Sequence, residues 1–342
     1  MFTKWPFWAL AAIALAAALG YRMSVDPQGS ASGETIKAAF VTGGVGDFWD
    51  SAIAGAKQAA RELNVELDIR KPEGESTLEE QMHLLSVVSS LPLDAVALCP
   101  LDPERQTQLI NQIAVSKPVI TYSSDASASA RHGYVGTSNY SAGLVAGTLV
   151  KKSFPNGGGK IAVLSGHATQ ESSQERIAGF KHRIAESPNP AESPTDTRFQ
   201  IVGVMADDGS AARCEENLRQ ALEEHPDLAC VVCMAPHQAA VVLGVLEQES
   251  LLEKIRLVLF DTSDATLEAV MKGDAYAAVA QDPYKYGYEA VTMMDSLCRG
   301  DKDYMPVVGR GAIHVSVEPV LKTDVADFRE RVAARLEQAD GT

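Results

Sequence analysis

Basic residues are in short supply: 30 Lys and Arg stand against 45 Asp and Glu, for a formal net charge of −15. A field of that sign repels phosphate backbones and anionic membrane surfaces, which argues against nucleic acid as a partner. Catalytic signatures are missing too. There is no G-x-S-x-G elbow, no H-E-x-x-H and no cluster of metal-ligand residues, so no catalytic residue, metal or cofactor is expected. Gly43, Gly44 and Gly46 are not followed by the Lys-Ser/Thr that a phosphate-cradling loop needs. Cysteine is sparse at five residues. Cys230 and Cys233 form the one C-x-x-C, set in the apolar string Leu-Ala-Cys-Val-Val-Cys-Met, with no second pair beside it. Buried small hydrophobes are the expected reading there, against a redox or zinc role.

The N-terminal apolar run, residues 8–19, is shorter than the roughly 20 residues a membrane-crossing helix requires. Lys4 precedes it, and Ala18 and Gly20 supply small residues at signal-peptidase spacing. A cleaved secretory signal over 1–24 is expected. An uncleaved anchor is the alternative, since Trp5 and Phe7 extend the stretch. Residues 25–34 carry Pro, Gly and Ser and read as a tether.

From Thr35 on, short apolar runs alternate with helical spacing. Strands are expected at 36–41, 65–69, 94–99 and 118–122, with helices at 51–63, 77–91 and 103–115 between them. The pattern then restarts, with strands at 160–164, 199–204, 229–233, 255–260 and 276–280. Helices are expected at 140–152, 173–185, 211–225, 239–248 and 265–272. The order calls for an α/β fold of two similar Rossmann-like lobes, each a parallel sheet flanked by helices and joined by a multi-strand hinge. A proline-bearing insertion spans 187–197, and 325–339 reads as a terminal helix, either docked on a lobe or free to bind a partner.

Ligands of open parallel sheets bind beyond the carboxyl ends of the strands. Here those ends carry Thr42-Gly-Gly-Val-Gly-Asp-Phe-Trp49, Tyr122-Ser-Ser-Asp125, Ser165-Gly-His167, Asp207-Asp208, Met234-Ala-Pro236, Asp261-Thr262 and Gln281-Asp-Pro283. Aromatic faces with carboxylate, amide and guanidinium groups suit a small polyhydroxyl ring.

Phe48-Trp49, Pro118-Val-Ile-Thr121, Tyr134-Val-Gly-Thr-Ser-Asn-Tyr-Ser-Ala-Gly143, Glu175-Arg-Ile-Ala-Gly-Phe180, Leu259-Phe-Asp261 and Ala278-Val-Ala-Gln281 occur in that order. Together they resemble the type I periplasmic sugar-binding proteins of ribose-binding type, over residues 36–317. The resemblance implies an exported, periplasmic, monomeric protein that closes on a sugar-like ligand and delivers it to an ABC transporter permease. Docking on a membrane receptor as a sensor is the alternative. It further implies ligand contacts from Phe48, Trp49, Arg176, Asp261 and Gln281, with Thr42 nearby; Tyr122 and Ser124 are strand-end candidates beside them, and Asp208 offers an acceptor where the family carries an aromatic. Two positions depart from the family's pattern: Ser123 stands for an aspartate, and Ala235 for an asparagine. Lactose-repressor-type regulators share the fold but need a DNA-binding segment ahead of it, where this chain has the apolar stretch. The expected division is an N-terminal lobe of 35–137 plus 282–309, a C-terminal lobe of 138–281 plus 310–322, and a helix or tail over 323–342. Hinge crossovers are expected near 137–139, 281–282 and 308–310.

Overall fold

The computed structural model describes residues 34–73, 77–168, 170–187, 193, 195–301, 304, 306 and 311–340. The expected signal or anchor, nearly all of the tether, part of the 187–197 insertion and the hinge point at 308–310 lie outside them. Among the described residues no helix is long and apolar enough to cross a membrane.

The first sheet has the order β11-β5-β4-β3-β1-β2. Its strands are β1 (Ile36–Val41), β2 (Val65–Arg70), β3 (Ala95–Leu98), β4 (Val119–Tyr122), β5 (Gly133–Thr137) and β11 (Ala312–Val315). Every pairing in it is parallel. β3, β4 and β5 are buried at every residue, the signature of strands covered by helices on both faces. Those helices are α1 (Asp47–Leu63), α2 (Leu78–Ser90), α3 (Pro103–Ala114) and, returning late in the chain, α9 (Pro283–Arg299).

The second sheet repeats the winding as β12-β10-β9-β8-β6-β7. It comprises β6 (Gly159–Ser165), β7 (Phe199–Ala206), β8 (Leu228–Cys233), β9 (Arg256–Phe260), β10 (Ala277–Ala280) and β12 (Glu318–Leu321), the last antiparallel to β10. Its helices are α4 (Asn139–Ser153), α5 (Glu171–Ala185), α6 (Ala211–Glu224), α7 (Gln238–Gln248) and α8 (Asp264–Lys272). Alternation along β8 sends Cys230 into the core on one face and Cys233 into the core on the other. The two thiols therefore cannot share a metal or a disulfide, and burial pushes both well above the ordinary thiol pKa. All five cysteines are free.

Each lobe clasps one pair of helices at glycines. A Cβ on Gly55 of α1 would stand 1.8 Å from the Tyr284 carbonyl oxygen, and one on Gly287 of α9 would stand 1.9 Å from that of Ala52. Gly143 of α4 and Gly179 of α5 repeat the arrangement at 2.0 Å each. Backbone-to-backbone approach this close admits no side chain.

The chain passes between the sheets three times: from β5 to α4, from β10 to α9, and from β11 to β12. The third passage corrects the sequence reading. It lies between Val315 and Glu318, so residues 312–315 belong to the first sheet rather than to the C-terminal lobe. The last helix, α10 (Val325–Asp340), seats Val325 and Phe328 in the core of the second lobe. Farther along, Arg335 reaches both carboxylate oxygens of Asp282 at 3.2 Å and lies over the Tyr284 ring. Arg61 of α1 donates to the Gln338 carbonyl at 3.2 Å. The helix therefore crosses the second hinge passage and touches both lobes.

Candidate functional site

The carboxyl ends of both sheets open on one cleft of about 1010 Å³, with the outer end flanked by Phe328, Val332 and Leu336 of α10. Its first wall begins at the turn after β1. Gly46 holds φ at 98°, a conformation that favours glycine, and α1 starts immediately after it. Phe48 and Trp49 thus fall in the first turn of the helix, edge to face with ring centroids 5.0 Å apart. The Trp49 indole folds back over Gly43 and Gly44, where any Cβ would meet the ring within 2.8 Å. The wall continues through Cys99, Pro100 and Leu101 after β3, and Ser123 and Ser124 after β4.

The second wall carries the charge. Arg176, on α5, is fixed before any ligand arrives. Its Nε donates to Asn139 Oδ1 at 2.8 Å, its Nη1 to the Met234 carbonyl at 2.8 Å, and its guanidinium lies 4.8 Å from the Phe260 ring centroid. Its Nη2 lies 3.4 Å from the Gln281 side-chain amide, and the residue lines the cleft with a planar fork suited to hydroxyl or ring oxygens.

Asp261, at the end of β9, sits in the left-handed region at φ 63° and is only 9% exposed. Burial raises its pKa to about 6, partly offset by the Arg176 charge and the Gln281 backbone N–H. Gln281 joins the walls at the second passage. With its amide turned to satisfy both ends, the oxygen accepts from Thr137 Oγ1 at 2.9 Å and Tyr286 Oη at 3.0 Å. Its nitrogen then donates to both Asp261 oxygens at 3.3 Å.

The Ala235-Pro236 turn is held by Gln238, whose Oε1 accepts from the backbone N–H groups of Met234 and Ala235 at 2.9 and 3.0 Å. Gln238 Nε2 and His237 Nε2 in turn meet the fully buried Asp207 at 2.5 and 2.8 Å. Asp207 is therefore a strut beneath the site and does not face the ligand space.

Phe48, Trp49, Ser123, Ser124, Arg176, Ala235, Asp261 and Gln281 all line the cleft. Three other candidates do not. Thr42 is buried, and its hydroxyl donates to the Gly44 carbonyl at 2.8 Å. Tyr122 is fully buried, stacked on Phe40 at 4.5 Å, with its hydroxyl on the Val41 carbonyl. Asp208 turns outward to pair with Arg213 at 2.5 Å. Strand-end position does not single out Cys99-Pro100-Leu101, because Pro100 reads from sequence as a strand stop, and nothing in the 325–339 pattern signals that α10 flanks the cleft. Among the described residues no cluster of metal-ligand side chains occurs.

A family model described as a periplasmic binding protein domain matches residues 38–302. A ribose import binding protein from Haemophilus influenzae is 24% identical over 252 residues, covering 72% of this chain and 80% of the relative. Among solved structures, a glucose-galactose binding protein from Geobacillus stearothermophilus is 27% identical with a TM-score of 0.75. The match covers 85% of this chain and 99% of that one. A solute-binding protein of an ABC transporter from Burkholderia graminis, solved with D-arabinose, is 25% identical with a TM-score of 0.73, covering 85% and 96%.

Proposed function

Because the chain belongs to the periplasmic binding protein family, we propose that it is an exported solute-binding protein that encloses a monosaccharide or sugar-like molecule between its lobes. It delivers that ligand to an ABC transporter permease and carries out no chemistry on it. The observation that carries this reading is the presence of Arg176 and Asp261 together in the cleft lining. One cation and one buried carboxylate, both positioned by neighbours, share that lining with Phe48 and Trp49. That set binds neutral hydroxylated rings: the carboxylate accepts from hydroxyls, the guanidinium donates to oxygens, and the aromatics cover C–H faces. The sugars named for the similar proteins support the same ligand class. Export rests on the apolar segment at residues 8–19.

Three passages between two rigid sheets form a hinge. Small-angle scattering of the chain without residues 1–24 is expected to show a smaller radius of gyration when a binding sugar is added. An unchanged profile at saturating sugar would contradict closure.

A further inference from the structure

The two walls of the cleft differ in kind. On the second, Arg176 and Asp261 supply an ionised donor and acceptor, and Gln281 adds an amide. On the first wall, the stretch from Trp49 through Cys99, Pro100 and Leu101 to Ser123 and Ser124 contains no ionised group, and the carboxylates of that wall's lining are Asp47 and Asp50 of α1, both exposed. Cys99 is a neutral thiol, its pKa pushed up to about 12 by burial, with Ser123 and Ser124 beside it. The carboxylate next along the chain, Asp125, is taken up by the Arg131 guanidinium and the Thr121 hydroxyl. The buried carboxylate and the braced guanidinium therefore both lie on the second wall.

We propose that the ligand is a deoxy sugar, with its hydroxyls gathered on the edge that meets Arg176, Asp261 and Gln281 and a methyl or methylene carbon against Cys99, Pro100 and Leu101. This rests on the sugar-binding reading above. A fully hydroxylated ring has to strip water from at least one hydroxyl on the first wall and offer it a thiol, a prolyl ring and an aliphatic chain. A deoxy carbon at that place loses nothing and gains apolar burial. The same asymmetry names a specificity residue. Ser123 holds φ at 62°, a conformation that aspartate tolerates better than most residues, so a carboxylate can be placed there without rebuilding the turn.

The test is calorimetry on four matched pairs: L-fucose with L-galactose, D-fucose with D-galactose, L-rhamnose with L-mannose, and 2-deoxy-D-ribose with D-ribose. In the pair that binds most tightly, the deoxy member is expected to bind about tenfold or more tightly than its parent. Ser123→Asp is expected to narrow or reverse that ratio, with circular dichroism and melting confirming that the variant is folded. A tighter parent sugar in every pair that binds, or an unchanged ratio in Ser123→Asp, would overturn the inference and leave the sugar-binding reading standing. Absence of binding by all eight sugars would also overturn the inference, and binding of any other monosaccharide would then leave the sugar-binding reading standing.

Discussion

Replacing Arg176 by alanine is expected to weaken binding of the cognate sugar at least 100-fold while the protein stays folded. The guanidinium is held by Asn139, the Met234 carbonyl and the Phe260 ring before ligand arrives. Little side-chain entropy is therefore left to lose on binding. Charge-assisted hydrogen bonds contribute about 1.5–3 kcal/mol each, and loss of two of them accounts for the expected factor. The alanine variant also leaves Asn139 Oδ1 and the Met234 carbonyl without their donor and Asp261 without the neighbouring cation. Arg176→Lys keeps the charge but not the fork, and is expected to recover only part of the affinity. Calorimetry with both variants measures the effect. Wild-type affinity in Arg176→Ala would remove the residue from the site.

Asp261→Asn is expected to move affinity and stability in opposite directions. Burial raises the carboxyl of Asp261 from its ordinary 3.8 to about 6. Below about pH 3.8 the proton is bound in folded and unfolded chains alike, and the full contribution to stability is present. As pH rises toward 6 the unfolded chain releases its proton first, and the fold loses up to about 3 kcal/mol. Above about 6 both forms are ionised and that loss is constant. Asparagine has no proton to release and tolerates the left-handed backbone at this position. At about pH 7.5 the variant should therefore melt several degrees higher than the wild type, with the difference shrinking toward pH 4. Its sugar affinity should fall tenfold or more, because an amide oxygen replaces the ionised acceptor. Wild-type affinity should itself fall as pH drops below about 6, close to tenfold per unit once the carboxyl is protonated in the free protein. Melting curves and calorimetry across pH 4–8 read both effects. A lower melting temperature for Asp261→Asn at neutral pH would contradict the account of this buried charge.

The two lobes were legible because fully buried parallel strands leave uninterrupted apolar runs, and their crossover helices restore a 3.6-residue period. Four elements escaped, each for a physical reason. β5 is a five-residue strand with Gly133 and Gly136 inside it. β11 and β12 are four-residue edge strands, and Pro319 in β12 argues against a strand unless it lies at an edge. α9 is hidden because Gln281-Asp282-Pro283 follows a strand end, where ligand contacts are expected. Asp282 nevertheless accepts from the Lys285 N–H and Pro283 opens the first turn, a start signal visible in the sequence.

Within the site, distance along the chain from a strand end was a sound guide only where the side chain turns outward. Ser123 and Tyr122 are neighbours, yet strand alternation sends Tyr122 into the core. Asp208 stands at a strand end too, with a left-handed φ of 53°, but its pairing with Arg213 keeps it out of the cleft. Asp261 and Ser123 share that left-handed backbone, and no sequence pattern announces it for a non-glycine residue. The apolar character of the first wall was equally out of reach, because it depends on which carboxylate Arg131 occupies.

A sugar held on Arg176 and Asp261 in the cleft between the lobes should protect the folded chain against heat. A thermal-shift panel of monosaccharides, run in parallel on the wild type and Arg176→Ala, tests it most directly, since a ligand bound only by the folded state raises the melting temperature. At least one sugar is expected to raise the wild-type melting temperature by several degrees and to leave Arg176→Ala unmoved. No shift with any sugar, or the same shift in both proteins, would contradict it.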